Sequence, residues 1–129
     1  MIVVDASVII ALLDANDAHH ARAAEVLDDL RGPLAASALT IAEILVGPAS
    51  AGRLTAARSA LATLEIAAVP IDADAAPRLA ELRAQTGLNL PDCCVLLAAE
   101  IAAASTLLTF DERLRRVATE FGIGDEPAG

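Results

Sequence analysis

The sequence predicts an α/β protein, with a central, mainly parallel sheet of four to five strands and helices on both faces. Three observations predict it. Short apolar runs such as Ile2-Val3-Val4 and Thr106-Leu107-Leu108 alternate with longer stretches of helical spacing, the pattern of a parallel sheet covered on both sides. The 129 residues suit one domain, 1–129, and no repeat, low-complexity segment or linker divides it. Hydrophobic residues make up 56% of the chain, and much of that excess is alanine, which favours helix.

The elements follow in order. Ile2 to Val4 reads as a buried strand, and Ala6 to Leu13 as a helix broken by Asp14-Ala15-Asn16-Asp17. His19 to Leu30 carries Ala23, Val26, Leu27 and Leu30 on one helical stripe before Gly32-Pro33 punctuates the chain. Leu34 to Ala36 is a weak second strand. Ser37 opens a helix that runs to about Val46, where Gly47-Pro48 is expected to stop it. Leu54 to Leu64 is helical, and Ile66 to Ile71 is a third strand. Asp72 caps a helix ending near Gly87. Pro91 is expected at a first helical position, with its helix reaching about Ala104. Thr106 to Phe110 is the fourth strand, and Asp111 to Ala118 is helical. Phe121-Gly122-Ile123 reads as a short edge strand and 124–129 as a loose tail.

Charge and composition exclude several functions. A net charge of −9 opposes broad, non-specific binding to nucleic-acid phosphates, but not binding through metal ions and a local arginine patch. All nine basic residues are arginine. Without lysine there is no P-loop and no Schiff-base chemistry. Cys93 and Cys94 are adjacent, which suits neither a zinc site nor a disulfide; they read as small apolar residues of a buried helix. His19 and His20, also adjacent, read as surface or capping residues. The longest apolar stretches, Val8 to Leu13 and Cys93 to Ala99, fall far short of the ~20 residues of a membrane span. No basic segment precedes an apolar one as in a secretion signal, so a cytoplasmic protein is expected. The surplus apolar surface in so short a chain points to a protein interface, a dimer or a partner groove.

Four acids stand out. Asp5 and Asp111 each end a strand-like run, where an open parallel sheet presents residues to its ligand crevice. Each also precedes a helix, so an N-cap role is open to both. Strands one and four would be neighbours in a doubly wound sheet, which would bring the two acids to one place. Glu43 shares a helical face with Leu39, Ala42 and Val46. A carboxylate buried on such a face needs a partner or a metal; the alternative is a capping box from Thr40 to Glu43. Asp92 falls on the stripe of Val95, Leu96 and Ala99 with no arginine nearby in sequence, although the helix dipole alone would favour an acid there. Ser7 is placed to cap a helix, or to hold Asp5 or a metal-bound water. Carboxylates without His or Cys make an all-oxygen site that suits Mg²⁺ or Mn²⁺. Such ions hold a phosphodiester and activate water for in-line attack.

Taken in order, Asp5-Ala6-Ser7, Ala42-Glu43, Leu90-Pro91-Asp92 and Thr109-Phe110-Asp111-Glu112-Arg113-Leu114 resemble the PIN-domain ribonucleases, and among them the VapC toxins of bacterial VapBC toxin–antitoxin modules. The resemblance runs from Ile2 to about Val117. It implies a PIN-like three-layer α/β/α sandwich and a metal-dependent endoribonuclease that hydrolyses RNA. It implies Asp5, Glu43, Asp92 and Asp111 as the catalytic set holding Mg²⁺ or Mn²⁺, with Ser7 and Thr109 as supporting hydroxyls. It also implies a homodimer inhibited by a cognate VapB-like antitoxin. Leu114 stands where the family often has phenylalanine, a difference of packing. With two Phe and no Tyr or Trp, base stacking is not expected to drive RNA recognition. Arg113, Arg115 and Arg116 are candidate RNA contacts, a role that a solvated helix face explains as well. A housekeeping RNA-processing PIN nuclease and a non-catalytic PIN-fold binding module fit the same residues. An aspartate-nucleophile phosphatase fits poorly, because Ser7 occupies the place of its second aspartate and its lysine is missing.

Overall fold

The computed structural model describes residues 1–30 and 32–124. Its elements are β1 (Ile2–Val4), α1 (Ala6–Leu13), α2 (His20–Asp29), β2 (Leu34–Ser37), α3 (Ala38–Ser50), α4 (Leu54–Thr63), β3 (Ile66–Val69), a 3₁₀ turn (Ala73–Ala75), α5 (Ala76–Thr86), α6 (Leu90–Ile101), β4 (Thr106–Leu108) and α7 (Glu112–Glu120). The described strands form one parallel sheet in the order β3-β2-β1-β4.

Handedness explains the layers. Parallel crossovers are right-handed, so stepping one way along a sheet puts helices on one face and stepping back puts them on the other. The chain steps from β1 to β2 to β3 through α1–α4, then returns past β1 to β4 through α5 and α6. Alternate strand residues accordingly feed two cores. Val3, Ala35 and Leu107 pack with Leu82, Leu88, Leu96 and Leu114 from α5 to α7. Ile2, Val4, Ala36 and Leu108 pack with Val8, Ile9, Val26, Ile44 and Leu61 from α1 to α4. Helix α6 is buried almost throughout, from Cys93 to Ala99, so both cysteines are core residues.

Three expectations are corrected. Helix α3 runs through Gly47-Pro48 to Ser50. A proline this close to a helix end leaves few hydrogen bonds beyond it, and the last turn closes through Ala51 N–H to Gly47 O and Arg53 N–H to Pro48 O. No strand forms over Phe121-Gly122-Ile123: the N–H groups of Phe121, Gly122 and Ile123 bond to Val117, Thr119 and Ala118 in the end of α7, so they are not available to a ladder. Gly124 is pinned instead of loose, bridging Thr106 and exchanging bonds with Ser105 and Leu107; the rest of the expected tail, 125–129, lies outside the described residues. Among the described residues, no helix is long and apolar enough to cross a membrane.

Candidate active site

The strand order reverses between β1 and β4, and the crevice beyond their carboxyl ends is where open α/β sheets bind ligands. Asp5 leaves β1 with extended backbone and caps α1: Ala6 N–H donates to its Oδ1 at 2.8 Å. Its Oδ2 accepts from Thr109 Oγ1 at 2.7 Å and from Ser7 Oγ at 3.0 Å. Those hydroxyls accept in turn, Ser7 from Phe110 N–H at 3.1 Å and Thr109 from Asp111 N–H at 3.0 Å. Asp5 N–H donates to Leu108 O at 2.9 Å. The ends of β1 and β4 are therefore tied through one buried carboxylate, whose rotamer is set by three donors.

Asp111 caps α7. Arg113 N–H and Leu114 N–H both donate to its Oδ1, at 2.9 and 3.0 Å, which leaves Oδ2 for a cation or water. The capping role and the crevice position coexist in both aspartates. Asp92 lies in the first turn of α6, where Asn89 is the cap and accepts from Asp92 N–H at 2.9 Å. Gly87 ends α5 in the left-handed region, φ 72°, which favours glycine. Its carbonyl accepts from Arg113 Nη2 at 3.1 Å, and an added Cβ would stand 3.0 Å from that nitrogen. Arg113 is thereby clasped beside Asp92.

The four acids feel one another. Asp92 is pushed up to about 6, first by burial, then by the charges of Asp5, Asp111 and Glu43, with Arg113 pulling the other way. Glu43 is raised as well, by burial and then by Asp5. A carboxylate whose proton is held more tightly by burial and by three neighbouring acids is a site short of positive charge.

Glu43 is exposed in the fold rather than buried on an apolar face. Its stripe faces out: Leu39 is 38% and Val46 63% exposed, while α3 buries Thr40 and Ile44. A capping box is also excluded, because α3 begins after Ser37, whose hydroxyl accepts from Thr40 N–H at 2.9 Å. Glu43 joins the cluster from the exposed rim of the crevice.

The three arginines separate. Arg113 faces Asp92. Arg115 turns to the other side of β4, donating to Thr109 O at 3.0 Å and pairing with Glu112 at 2.9 Å. Arg116 lies in an exposed hollow with Glu112, Arg115, Thr119 and Glu120, which none of the four acids lines. Sequence reasoning missed Asn89 as the cap of α6, although an Asn two residues before Pro91 is such a signal. It also missed a stacked pair, His19 on Phe110, with ring centroids 4.7 Å apart.

Among the described residues, no three His, Cys, Asp or Glu side chains stand close enough together to hold a metal ion by themselves. The donor set still suits a hard cation. Mg²⁺ keeps several waters and takes one or two carboxylates together with substrate oxygens, so an open ring of acids fits it better than a closed cage.

Residues 2–120 match the family model of the PIN domain. The chain belongs to the PIN-domain family. Its PIN fold is similar to that of VapC20 of Mycobacterium tuberculosis, described as a sarcin-ricin loop cleaving toxin, at 17% identity and a TM-score of 0.79, over 98% of this chain and 100% of that one. It is also similar to a toxin–antitoxin complex from Klebsiella pneumoniae, at 26% identity and a TM-score of 0.72, over 86% of this chain and 87% of that one. A third likeness is to VapBC2 from Rickettsia felis bound to a promoter DNA fragment, at 18% identity and a TM-score of 0.67, over 98% of each chain. No curated protein sequence matches the chain.

Proposed function

We propose that this PIN protein is a metal-dependent endoribonuclease and the toxin of a type II toxin–antitoxin system. The observation that carries the reading is the convergence of Asp5, Glu43, Asp92 and Asp111 at the β1/β4 switch point, expressed in the raised protonation of Asp92. In this reading Asp5, Asp92 and Asp111 would hold Mg²⁺ or Mn²⁺ from the crevice, with Glu43 contributing from its rim. When bound, the ion supplies Lewis acidity toward a phosphodiester oxygen and lowers the pKa of its water. Ser7 and Thr109 orient Asp5 by donating to its Oδ2. Arg113, held by Gly87 O, stands beside the acids as a phosphate contact. The cation answers the net charge of −9: it neutralises the acids where the polyanion must approach.

The toxin reading rests on the likeness to toxin–antitoxin complexes. It assigns to this chain a cytoplasmic location, a VapB-like antitoxin and a second copy of itself. Exposed Ile10 and Leu13 on α1, and Leu39 and Val46 on α3, are apolar surface for such partners to cover.

The test is cleavage of total cellular RNA by the purified, partner-free protein with Mg²⁺, Mn²⁺ or EDTA, beside Asp92→Asn. Discrete fragments that need the metal and vanish in the variant are expected. Folded protein that cuts no RNA with either metal would turn the assignment toward a PIN-fold binding module.

A further inference from the structure

On the far side of Thr109 from the acids lies a cavity of about 280 Å³ that the cleavage reading leaves unused. That is near the lower end of small-ligand pockets, ~300 Å³. Arg22 of α2 and Arg115 of α7 line it, together with His19, Phe110, Thr109 and Glu112. In a chain of net charge −9 and only nine basic residues, two guanidinium groups lining one hollow give it donors suited to a phosphate. Glu112 pairs with Arg115 at 2.9 Å, and Glu25 stands 3.5 Å from Arg22, so each arginine is held by a carboxylate while part of its side chain stays exposed. The imidazole of His19 lies flat on Phe110, 19° from parallel, and its side chain is 58% exposed. Asp17 Oδ1 lies 3.8 Å from its Nδ1, and an exposed, supported ring is a surface on which single-stranded bases stack.

Thr109 joins this cavity to the acids. Its hydroxyl donates to Asp5, and its carbonyl accepts from Arg115. The hollow and the acids thus lie on either side of a single residue, a separation that adjacent nucleotides of one strand can span. We propose that the cavity is a nucleotide subsite for single-stranded RNA, with the base stacked on His19 and a phosphate against Arg22 and Arg115. The proposal rests on the ribonuclease reading for its substrate, but its binding chemistry does not need the metal. It also qualifies the expectation that base stacking does not drive recognition: a histidine supported by one of the two phenylalanines offers one stacking platform.

The experiment measures fluorescence anisotropy of a short, labelled single-stranded RNA of mixed sequence with the full chain in EDTA. His19→Ala and Arg22→Ala change partly exposed side chains, and Arg58→Ala on α4 is the control. Each of the first two should weaken binding by about tenfold, the scale of one lost base stack or phosphate contact. With Mn²⁺ they should raise KM and leave kcat within about threefold; Arg58→Ala should change neither. Equal RNA affinity in all three variants overturns the subsite and assigns the hollow to a protein partner's side chain. Parent protein that cuts RNA in Mn²⁺ but binds none in EDTA also overturns it. Binding that depends on His19 and Arg22 in a parent that never cuts would remove the nuclease reading and leave the subsite standing.

Discussion

Helices α3 and α6 carry the same signal in sequence and meet different surroundings. Each places one carboxylate, Glu43 or Asp92, on an apolar stripe. In α6 the stripe is core, with Val95, Leu96 and Ala99 buried. In α3 it lies open, with Leu39 and Val46 exposed. An apolar stripe states only that something covers it; whether that is the chain's own sheet or another molecule depends on where the helix lands. The crossover direction puts α6 across the middle of the sheet. It leaves α3 with only one of its faces, Thr40 and Ile44, against β2 and its neighbours. The two carboxylates nonetheless reach the same crevice, Asp92 from its depth and Glu43 from its rim.

The largest effects should come from the carboxylates themselves. Asp92→Asn is expected to lower metal-dependent RNA cleavage by roughly a thousandfold or more, and Glu43→Gln by roughly a hundredfold, since the rim position is the more easily replaced by water. Single-turnover rates at saturating Mn²⁺ measure both; equal losses would erase the distinction between depth and rim.

Next come the stripes. Leu96→Ala removes a fully buried side chain and should cost about 3 kcal/mol in urea unfolding. Val46→Ala on the exposed stripe should change stability by less than about 0.5 kcal/mol yet weaken capture of an antitoxin or a second copy. A large stability loss from Val46→Ala would mean that α3 is covered by its own fold.

The cap of α6 is a smaller matter. Asn89→Ala should cost about 1 kcal/mol. It should also lower activity, because Asn89 holds the turn that presents Asp92.

The pH dependence gives the finest contrast. The folded protein holds the Asp92 proton more tightly than the unfolded chain, about 6 against an ordinary 3.8. This group therefore favours the metal-free fold most below pH 4, and that contribution is lost as pH rises through about 6. With part of the side chain in solvent, the effect is of order 1 kcal/mol. Asp92→Asn should thus stabilise the metal-free protein at pH 8 by about that amount and do nothing at pH 3.5, while Mn²⁺ binding to the parent should strengthen up to pH 6–7 and then level off. A parent and variant with the same stability at both pH values would place Asp92 in ordinary solvent.

Much of the fold was legible because its signals are local. Ile2-Val3-Val4, the Asp5 and Asp111 caps, and Gly87 as a helix stop each act within a few residues. Asp5, Asp92 and Asp111 could be read as crevice positions for the same reason: strand ends and helix starts mark the crevice of a parallel sheet. Thr109 came only from the family resemblance, and the stripe argument for Glu43 failed because α3 turns that stripe outward. Where local rules competed with packing, they failed. Gly47-Pro48 did not end α3, because a turn closing on Pro48 O satisfied the chain beyond it. Phe121 to Ile123 did not become a strand, because the end of α7 took their donors first. Arg113, Arg115 and Arg116 could not be sorted by spacing, since the face each one meets depends on how α7 sits against β4.

By itself, then, the sequence determined the alternation of strands and helices, the all-oxygen chemistry of the four acids and the absence of lysine chemistry. These follow from residue type and short spacing. Only the tertiary structure decided that Asp5 and Thr109, 104 residues apart, share a hydrogen bond. It alone decided that burial and three acids distant in sequence raise Asp92, and that His19 and Phe110 line a cavity with two arginines. Each depends on the β3-β2-β1-β4 order, and strand order is set by the closure of two cores around one sheet, which no local stretch of sequence encodes.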